Sequence, residues 1–339
     1  MQYRQLGDTG ISASVLGFGM WPIGGTQHAG DYGTVSTDEA VSAIRRALDL
    51  GVTLFDAAPA YGNGHAEVIL GEALGSRRDE AVVVTKCAVH WDYRVETWVT
   101  TSHHDDIVRS AEDSLRRIGT DRLDVLLIHV PDPNGSPEGS MAAFGELLAS
   151  GKVRAVGVSN FTIEQLDEYG QHGLIQVQQV GYNMLDRRAE SAMISRCVEL
   201  SVGLMTYGAL CHGLFSGAWD EDMVLPSEDW RSKGDVFGLP LFAGDNLRHN
   251  IRVATRLAAF AESRGLTLPQ LAIAWVVQNS HVATALAGMR TPGEVEENVA
   301  AVTKRLGTDD LAGIDEILAD AVGTLGNEQY VVNERSAEG

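Results

Sequence analysis

Two hydrophobic patterns alternate along the chain. Short apolar runs rich in β-branched residues occur at 52–57, 81–86, 123–129, 153–160, 175–180, 202–208 and 282–288. Between them lie segments whose apolar positions recur with helical spacing. The clearest is 37–50, where Thr37 is placed to cap the start, Val41, Ile44, Ala47 and Leu48 share one face, and Gly51 follows as a stop. Segments 105–118, 138–150, 189–200, 250–263, 268–278 and 292–304 read the same way. An eighth strand is predicted at 15–19, preceded by a hairpin turning at Asp8-Thr9-Gly10. Its arms, 3–6 and 11–13, are expected to plug one end of the fold.

The runs are nearly continuous in apolar residues, as strands covered on both faces require. Strand and helix alternating about eight times predict a parallel sheet, and the absence of a second compositional zone favours closure into a (β/α)₈ TIM barrel. A doubly wound open sheet is the alternative. No linker divides the chain, so one domain is expected over 1–339, with a mobile tail beyond Tyr330.

Two connections are longer than such units need, 87–104 and 209–247. They carry Trp91, Tyr93 and Trp98, and Phe215, Trp219, Trp230, Phe237 and Phe242. Strand-to-helix loops build the active face of a barrel, so Trp21 and Trp91 are candidates for an apolar substrate wall. The same aromatics would also serve as small cores beneath the loops.

A formal net charge of −20 disfavours nucleic acid and anionic membrane as partners. Cys87, Cys197 and Cys211 form no CxxC pair, which fits a reducing, cytoplasmic setting without disulfides or zinc. The amino terminus lacks a signal-peptide pattern. Residues 265–289 contain no Asp, Glu, Lys or Arg, but Pro269 and the Gln278-Asn279-Ser280-His281 stretch read as helix, turn and strand rather than a membrane span. His103-His104-Asp105-Asp106 reads as an acidic helix start rather than a metal site.

Polar residues punctuate the carboxyl ends of the strands: Asp56, Lys86, His129, Ser159, Asn160, Gln179 and Tyr207. Each alone is an ordinary strand-end group, but a barrel would ring them around one mouth. A lysine ammonium there would lower the pKa of a nearby tyrosine, an aspartate would hold the lysine charged, and a histidine would orient a carbonyl oxygen. A proton donor without a metal motif points to reduction by a hydride donor. A Rossmann site is unsupported, because Gly17-Phe18-Gly19 continues into Met20-Trp21-Pro22 and Gly62-Asn63-Gly64 reaches Glu67 at the third glycine position.

The segment Phe55-Asp56-Ala57-Ala58-Pro59-Ala60-Tyr61-Gly62, with Glu67 and Leu70-Gly71, resembles the first signature of the aldo-keto reductase superfamily. Thr85-Lys86, Leu127-Ile128-His129 and the run from Gly151 to Phe161 follow in that family's order. The resemblance implies a catalytic tetrad of Asp56, Tyr61, Lys86 and His129, with Tyr61 as proton donor to a carbonyl substrate. It implies that Ser159, Asn160 and Gln179 hold the nicotinamide of NADP(H), with NAD(H) also considered, and that Tyr207 stacks on its ring. Gly208, Leu210 and Ser216 would border the pyrophosphate. Gly288 and Arg290 would receive the 2′-phosphate end, with Glu297 and Asn298 on the adenine.

Two departures stand out. Glu294 replaces a basic or amide residue, and His212 replaces an arginine. Besides the reductase, two readings stay open: a nicotinamide-binding sensory or channel-associated protein, and a lyase or isomerase using Lys86 as a Schiff base. The substrate, the reaction direction and the choice between monomer and homo-oligomer are not legible.

Overall fold

A computed structural model of the chain describes residues 1–25, 32 and 34–324. Its strands are β1 (Tyr3–Gln5), β2 (Ser12–Ser14), β3 (Leu16–Gly19), β4 (Leu54–Asp56), β5 (Val82–Cys87), β6 (Val89–Asp92), β7 (Thr97–Thr100), β8 (Leu123–Ile128), β9 (Val153–Ser159), β10 (Val177–Gly181), β11 (Gly203–Tyr207) and β12 (Val282–Gly288). The helices are α1 (Thr37–Asp49), α2 (His65–Leu74), α3 (His104–Ile118), α4 (Pro137–Ala149), α5 (Ile163–Gly170), α6 (Met193–Glu199), α7 (Asn246–Glu262), α8 (Leu268–Gln278), α9 (Pro292–Ala301) and α10 (Thr308–Leu318). The expected tail lies outside the described residues.

Eight parallel strands close in the order β10-β11-β12-β3-β4-β5-β8-β9, as the alternation of patterns predicts. The open-sheet alternative is thereby excluded. Inside the barrel Leu54, Val84, Val125, Leu127, Val177 and Met205 pack together, and Leu6, Ile11 and Ala13 of the hairpin join them. The plug sits at the strands' amino-terminal end, where the Asp8 N–H donates to Ser201 O (3.3 Å). A second, larger core fills the space between strands and helices, including Phe18, Phe55, Ile44, Leu70, Phe144 and Phe161.

Several boundaries differ from the sequence pattern. Ser36, not Thr37, caps α1, accepting from Glu39 N (3.3 Å). The helical stretch expected at 189–200 is a 3₁₀ turn at Arg188–Glu190 followed by α6. Helix α7 begins earlier than the pattern predicts, and α2, α5 and α10 lie where the pattern marks no helix. The long 87–104 connection folds into a hairpin of β6 and β7. Its strands are only four residues each, too short for their patterning to be distinguished from a loop.

Register then fixes the working face. Gly19 aligns with Asp56 and Gly288, Ser159 with Gln179, and Gly181 with Tyr207, so these strand ends open on the same carboxyl-end face. Among the described residues no helix is long and apolar enough to cross a membrane.

Close packing makes Gly157 critical. It pairs with Val177 across β9 and β10, and a Cβ there would lie 2.1 Å from Val177 O. Gly157→Ala is expected to lower stability by about 1–3 kcal/mol or more, the range of overpacked cores. Urea unfolding measures this, and an unchanged midpoint would show that the two strands have room to part.

Candidate active site

The carboxyl end of β4 carries Asp56, and the turn that follows carries Tyr61. That turn is tight: Tyr61 N donates to Ala58 O (3.1 Å), and Gly62 at φ +59° would place a Cβ 1.7 Å from Gly24 O. Only glycine fits there, and so the Tyr61 backbone is held against the 3₁₀ turn Trp21–Ile23. Glu67, wholly buried in α2, accepts from Thr85 Oγ1 (2.6 Å) and pairs with Arg117, tying α2 to β5 and α3.

Lys86 reaches up from β5 and is almost wholly buried. Its Nζ donates to Asp56 Oδ2 (2.7 Å), Ala57 O (2.9 Å) and Tyr61 OH (3.1 Å). Gln179 Nε2, on β10, donates to the other Asp56 oxygen (2.8 Å). Burial by itself would drive the lysine towards its neutral form. Asp56 and then Tyr61 outweigh it, and the Lys86 pKa stands above its ordinary value. The pair is therefore an ammonium facing a carboxylate.

Tyr61 behaves differently from the sequence expectation. Burial is the largest influence and raises its pKa, Lys86 opposes it, and the net shift is upward. The expectation counted the ammonium but not the loss of water around a phenolate. Tyr61 is thus a protonated phenol at neutral pH, with a cation positioned to receive the charge if the proton leaves.

His129, just beyond β8, meets Tyr61 edge to face with ring centroids 5.8 Å apart. Burial and then the Lys86 charge hold its pKa well below the usual value, so the imidazole is neutral. Its Nδ1 is buried without a hydrogen-bond partner, unusual for such an atom. Asn160 Nδ2 donates to His129 O (3.0 Å), and the Tyr207 hydroxyl donates to Asn160 Oδ1 (2.7 Å). Asn160 sits at φ +64°, a conformation asparagine tolerates better than most residues. Ser159 Oγ donates to Gln179 O (3.1 Å).

These groups open into a cavity of about 1000 Å³. Its lining includes Asp56, Tyr61, His129, Ser159, Asn160, Gln179 and Tyr207 at one part, and Gly208, Leu210 and Ser216 along the loop after β11. It continues to Gly288, Arg290, Glu294, Glu297 and Asn298 around the start of α9. Lys86 lies beneath, reaching the cavity through Tyr61. Arg290 does not stand alone, because Nη2 donates to Glu294 Oε1 (2.9 Å) and its backbone N–H to Glu294 Oε2 (2.7 Å).

One wall is aromatic. Trp21 stacks on Tyr61 (6.0 Å, 11°) and on Trp230 (5.2 Å, 23°), and Phe237 meets Tyr207 edge-on (5.4 Å). From the β6–β7 hairpin it is Trp98 that lines the cavity, while Trp91 packs edge to face against Trp98 at 5.5 Å. Tyr32, Trp230 and Phe237 also line the cavity; the sequence marks Trp230 and Phe237 only as loop aromatics, and Tyr32 not at all. Their aromatic character was the only signal, since nothing in a loop's sequence says which way it folds.

The sequence model of the Aldo/keto reductase family matches residues 15–319. The chain belongs to the aldo/keto reductase family. It is 34% identical over 327 residues to an aldo-keto reductase of Bacillus subtilis, covering 95% of each chain. It is 30% identical over 322 residues to an NADH-specific methylglyoxal reductase of Escherichia coli, covering 91% of this chain and 96% of the relative. Among solved structures it resembles a glycerol dehydrogenase from Gluconobacter oxydans, with TM-score 0.85, 31% identity and coverage of 96% and 97%. An aldo/keto reductase from Klebsiella pneumoniae in complex with NADP and acetate matches with TM-score 0.67 and 26% identity, over 90% and 92% of the chains. A family of oxidoreductases on a parallel barrel accords with both the fold and the polar ring.

His212 offers a check on the electrostatics. It stands at φ +54° beside Tyr32, whose hydroxyl is 3.3 Å from its Nδ1. Burial first, then Arg231 and Arg188, lower its pKa from 6.5 to about 3. Between those values the unfolded chain binds a proton that the folded chain refuses. The contribution to stability is therefore intact above pH 6.5 and lost progressively as pH falls towards 3. Wild type should lose more unfolding free energy between about pH 7.5 and about pH 5, roughly one unit above and one and a half units below histidine's ordinary value, than His212→Asn does. Equal losses in urea titrations at the two pH values would refute the assignment.

Proposed function

We propose that the chain is a nicotinamide-dependent carbonyl reductase, catalysing the reduction of aldehydes or ketones or the reverse oxidation, with Tyr61 as the proton donor. The observation that carries this reading is the chain of hydrogen bonds from Asp56 through Lys86 to Tyr61, ending in the cavity beside His129. A nicotinamide dinucleotide supplies hydride when bound. Everything else in the step falls to the protein.

The residues present suit such a group. Asn160, Gln179 and Ser159 bring amide and hydroxyl groups to the cavity wall, matching a carboxamide's need for both donors and acceptors. The Tyr207 ring offers a face for an aromatic ring, and its hydroxyl is already anchored on Asn160. Gly208, at φ +76°, brings its backbone close to the cavity, where a Cβ would lie 3.2 Å from His212 Nε2. Arg290 is the cation that would receive a 2′-phosphate, which is the basis for NADP(H). NAD(H) carries the same reacting ring and would serve the same chemistry.

In the proposed step a substrate carbonyl oxygen lies between Tyr61 and His129. The neutral imidazole orients the oxygen without competing for charge. As hydride reaches the carbonyl carbon, the electron pair of the C=O π bond takes the Tyr61 proton, and an alcohol forms. The phenolate left behind is held by the Lys86 ammonium until solvent reprotonates it. Asp56 and Gln179 keep Lys86 charged and in line. The aromatic wall around Trp21, with Trp98 also in the cavity lining, favours a substrate with an apolar or planar body. Relatives named for methylglyoxal and glycerol also bring small oxygenated substrates within range.

Schiff-base chemistry at Lys86 is disfavoured on the same geometry. A nucleophilic amine must be neutral and free, whereas Lys86 is charged and donates to three acceptors.

Tyr61→Phe is expected to cut kcat by about 100- to 10,000-fold, the usual share of a general acid, while dinucleotide affinity stays within a few-fold. Stopped turnover with a panel of carbonyl compounds and a fluorescence titration read the two effects. Full activity in the variant would remove Tyr61 from the mechanism.

A further inference from the structure

We infer that Glu294 is an internal occupant of the position a dinucleotide's 2′-phosphate would take, so that NADP(H) must displace it and NAD(H) need not. This rests on the reading that the cavity binds a nicotinamide dinucleotide. If the reacting ring lies at Tyr61 and Tyr207, the remainder of the molecule follows the same cavity to its lining at the start of α9.

There the donors suited to a phosphate monoester are already used. Glu294 accepts the Arg290 backbone N–H on Oε2 (2.7 Å) and the guanidinium on Oε1 (2.9 Å). One carboxylate thus satisfies a main-chain donor and a fork cation together, the pairing that makes a helix start attractive to phosphate. The carboxylate is well placed to do so. Glu294 is the third residue of α9, and its own N–H is held by the capping hydroxyl of Thr291 (3.2 Å).

The pair is half-exposed, with side-chain accessibilities of 47% for Arg290 and 32% for Glu294. Such a pair opens at modest cost, so it sets a preference rather than a barrier. A phosphate arriving there would have to turn the carboxylate away and then sit close to it, with Glu297 supplying a second negative charge on the same wall. A ribose with a free 2′-hydroxyl offers a proton instead of a charge, and a carboxylate accepts it directly. Glu294 therefore offsets the preference for NADP(H) that Arg290 alone would confer.

The test is a fluorescence titration of wild type, Glu294→Gln, Glu294→Ala and the Glu294→Gln/Arg290→Ala double variant with NADPH and with NADH. Both single variants should bind NADPH about five- to tenfold more tightly, as the removal of one half-exposed charge next to a phosphate predicts, and NADH no more tightly than wild type, because the acceptor for its 2′-hydroxyl is weakened or lost. The double variant should lose the gain, because the freed guanidinium is what captures the phosphate. Unchanged or weaker NADPH binding in single variants that still bind NADH would overturn the role of Glu294 and leave the cofactor reading standing. If wild type binds neither dinucleotide, the cofactor reading fails and this inference fails with it.

Discussion

The ion pair between Lys86 and Asp56 is the interaction on which the rest of the site depends. Both groups are buried and 2.7 Å apart, so neither keeps the hydration that a charge prefers. Such a pair persists only when every remaining polar position is filled, because a buried charge without partners costs several kcal/mol. Here Ala57 O and Tyr61 OH fill the remaining ammonium directions, and Gln179 takes the second carboxylate oxygen. The pair thereby ties β4, β5 and β10 at the barrel's open end. Its charge then acts outward. It opposes the rise that burial imposes on the Tyr61 phenol, and it adds to the burial that keeps His129 neutral. The charge on one lysine thus bears on the protonation of both groups that would flank a substrate oxygen.

The long loop after β11 is organised by the same physics at one remove. Arg188, fully buried, grips Asp186 with two nitrogens (2.8 and 2.9 Å) and donates to Phe237 O (3.0 Å). Arg231 grips Asp229 and donates to His212 O (2.7 Å), while its guanidinium lies over the rings of Tyr32 and Trp219. These two arginines give an irregular segment the fixed partners that a strand finds in its neighbours. The aromatic wall of the cavity is consequently held by these salt bridges together with ring stacking. A site so lined combines a rigid apolar surface with a few placed polar groups, the usual form of a small-molecule pocket.

Stability and chemistry meet in the glycines that let backbones approach. Gly157 allows β9 to lie against β10, and Gly62 allows the Tyr61 turn to touch Gly24. Neither residue contributes a functional group. Each removes a methyl that would move a functional group out of reach, and the placement of Tyr61 relative to Lys86 depends on that absence.

Much of the architecture was legible because period and order are local properties. Apolar runs bounded by polar strand ends mark the barrel strands to within a residue or two, and only a closed barrel brings Asp56, Lys86, His129, Asn160 and Gln179 to one face. Caps and irregular segments were less legible. Ser36 and Thr37 are equally good capping residues, and the choice rests on where the chain first turns helical. The hairpin of β6 and β7, the approach of Tyr32, and the exchange of Trp91 for Trp98 at the cavity depend on contacts between segments far apart in sequence. So does the sign of the Tyr61 shift, because burial is set by everything that surrounds a phenol rather than by its nearest charge. The sequence by itself determined which chemical groups stand at the strand ends and in what order. Only the tertiary structure decided which of them are dry, which are paired, and that Arg290 already holds Glu294, since desolvation and pairing are properties of assembled surfaces and not of residue types.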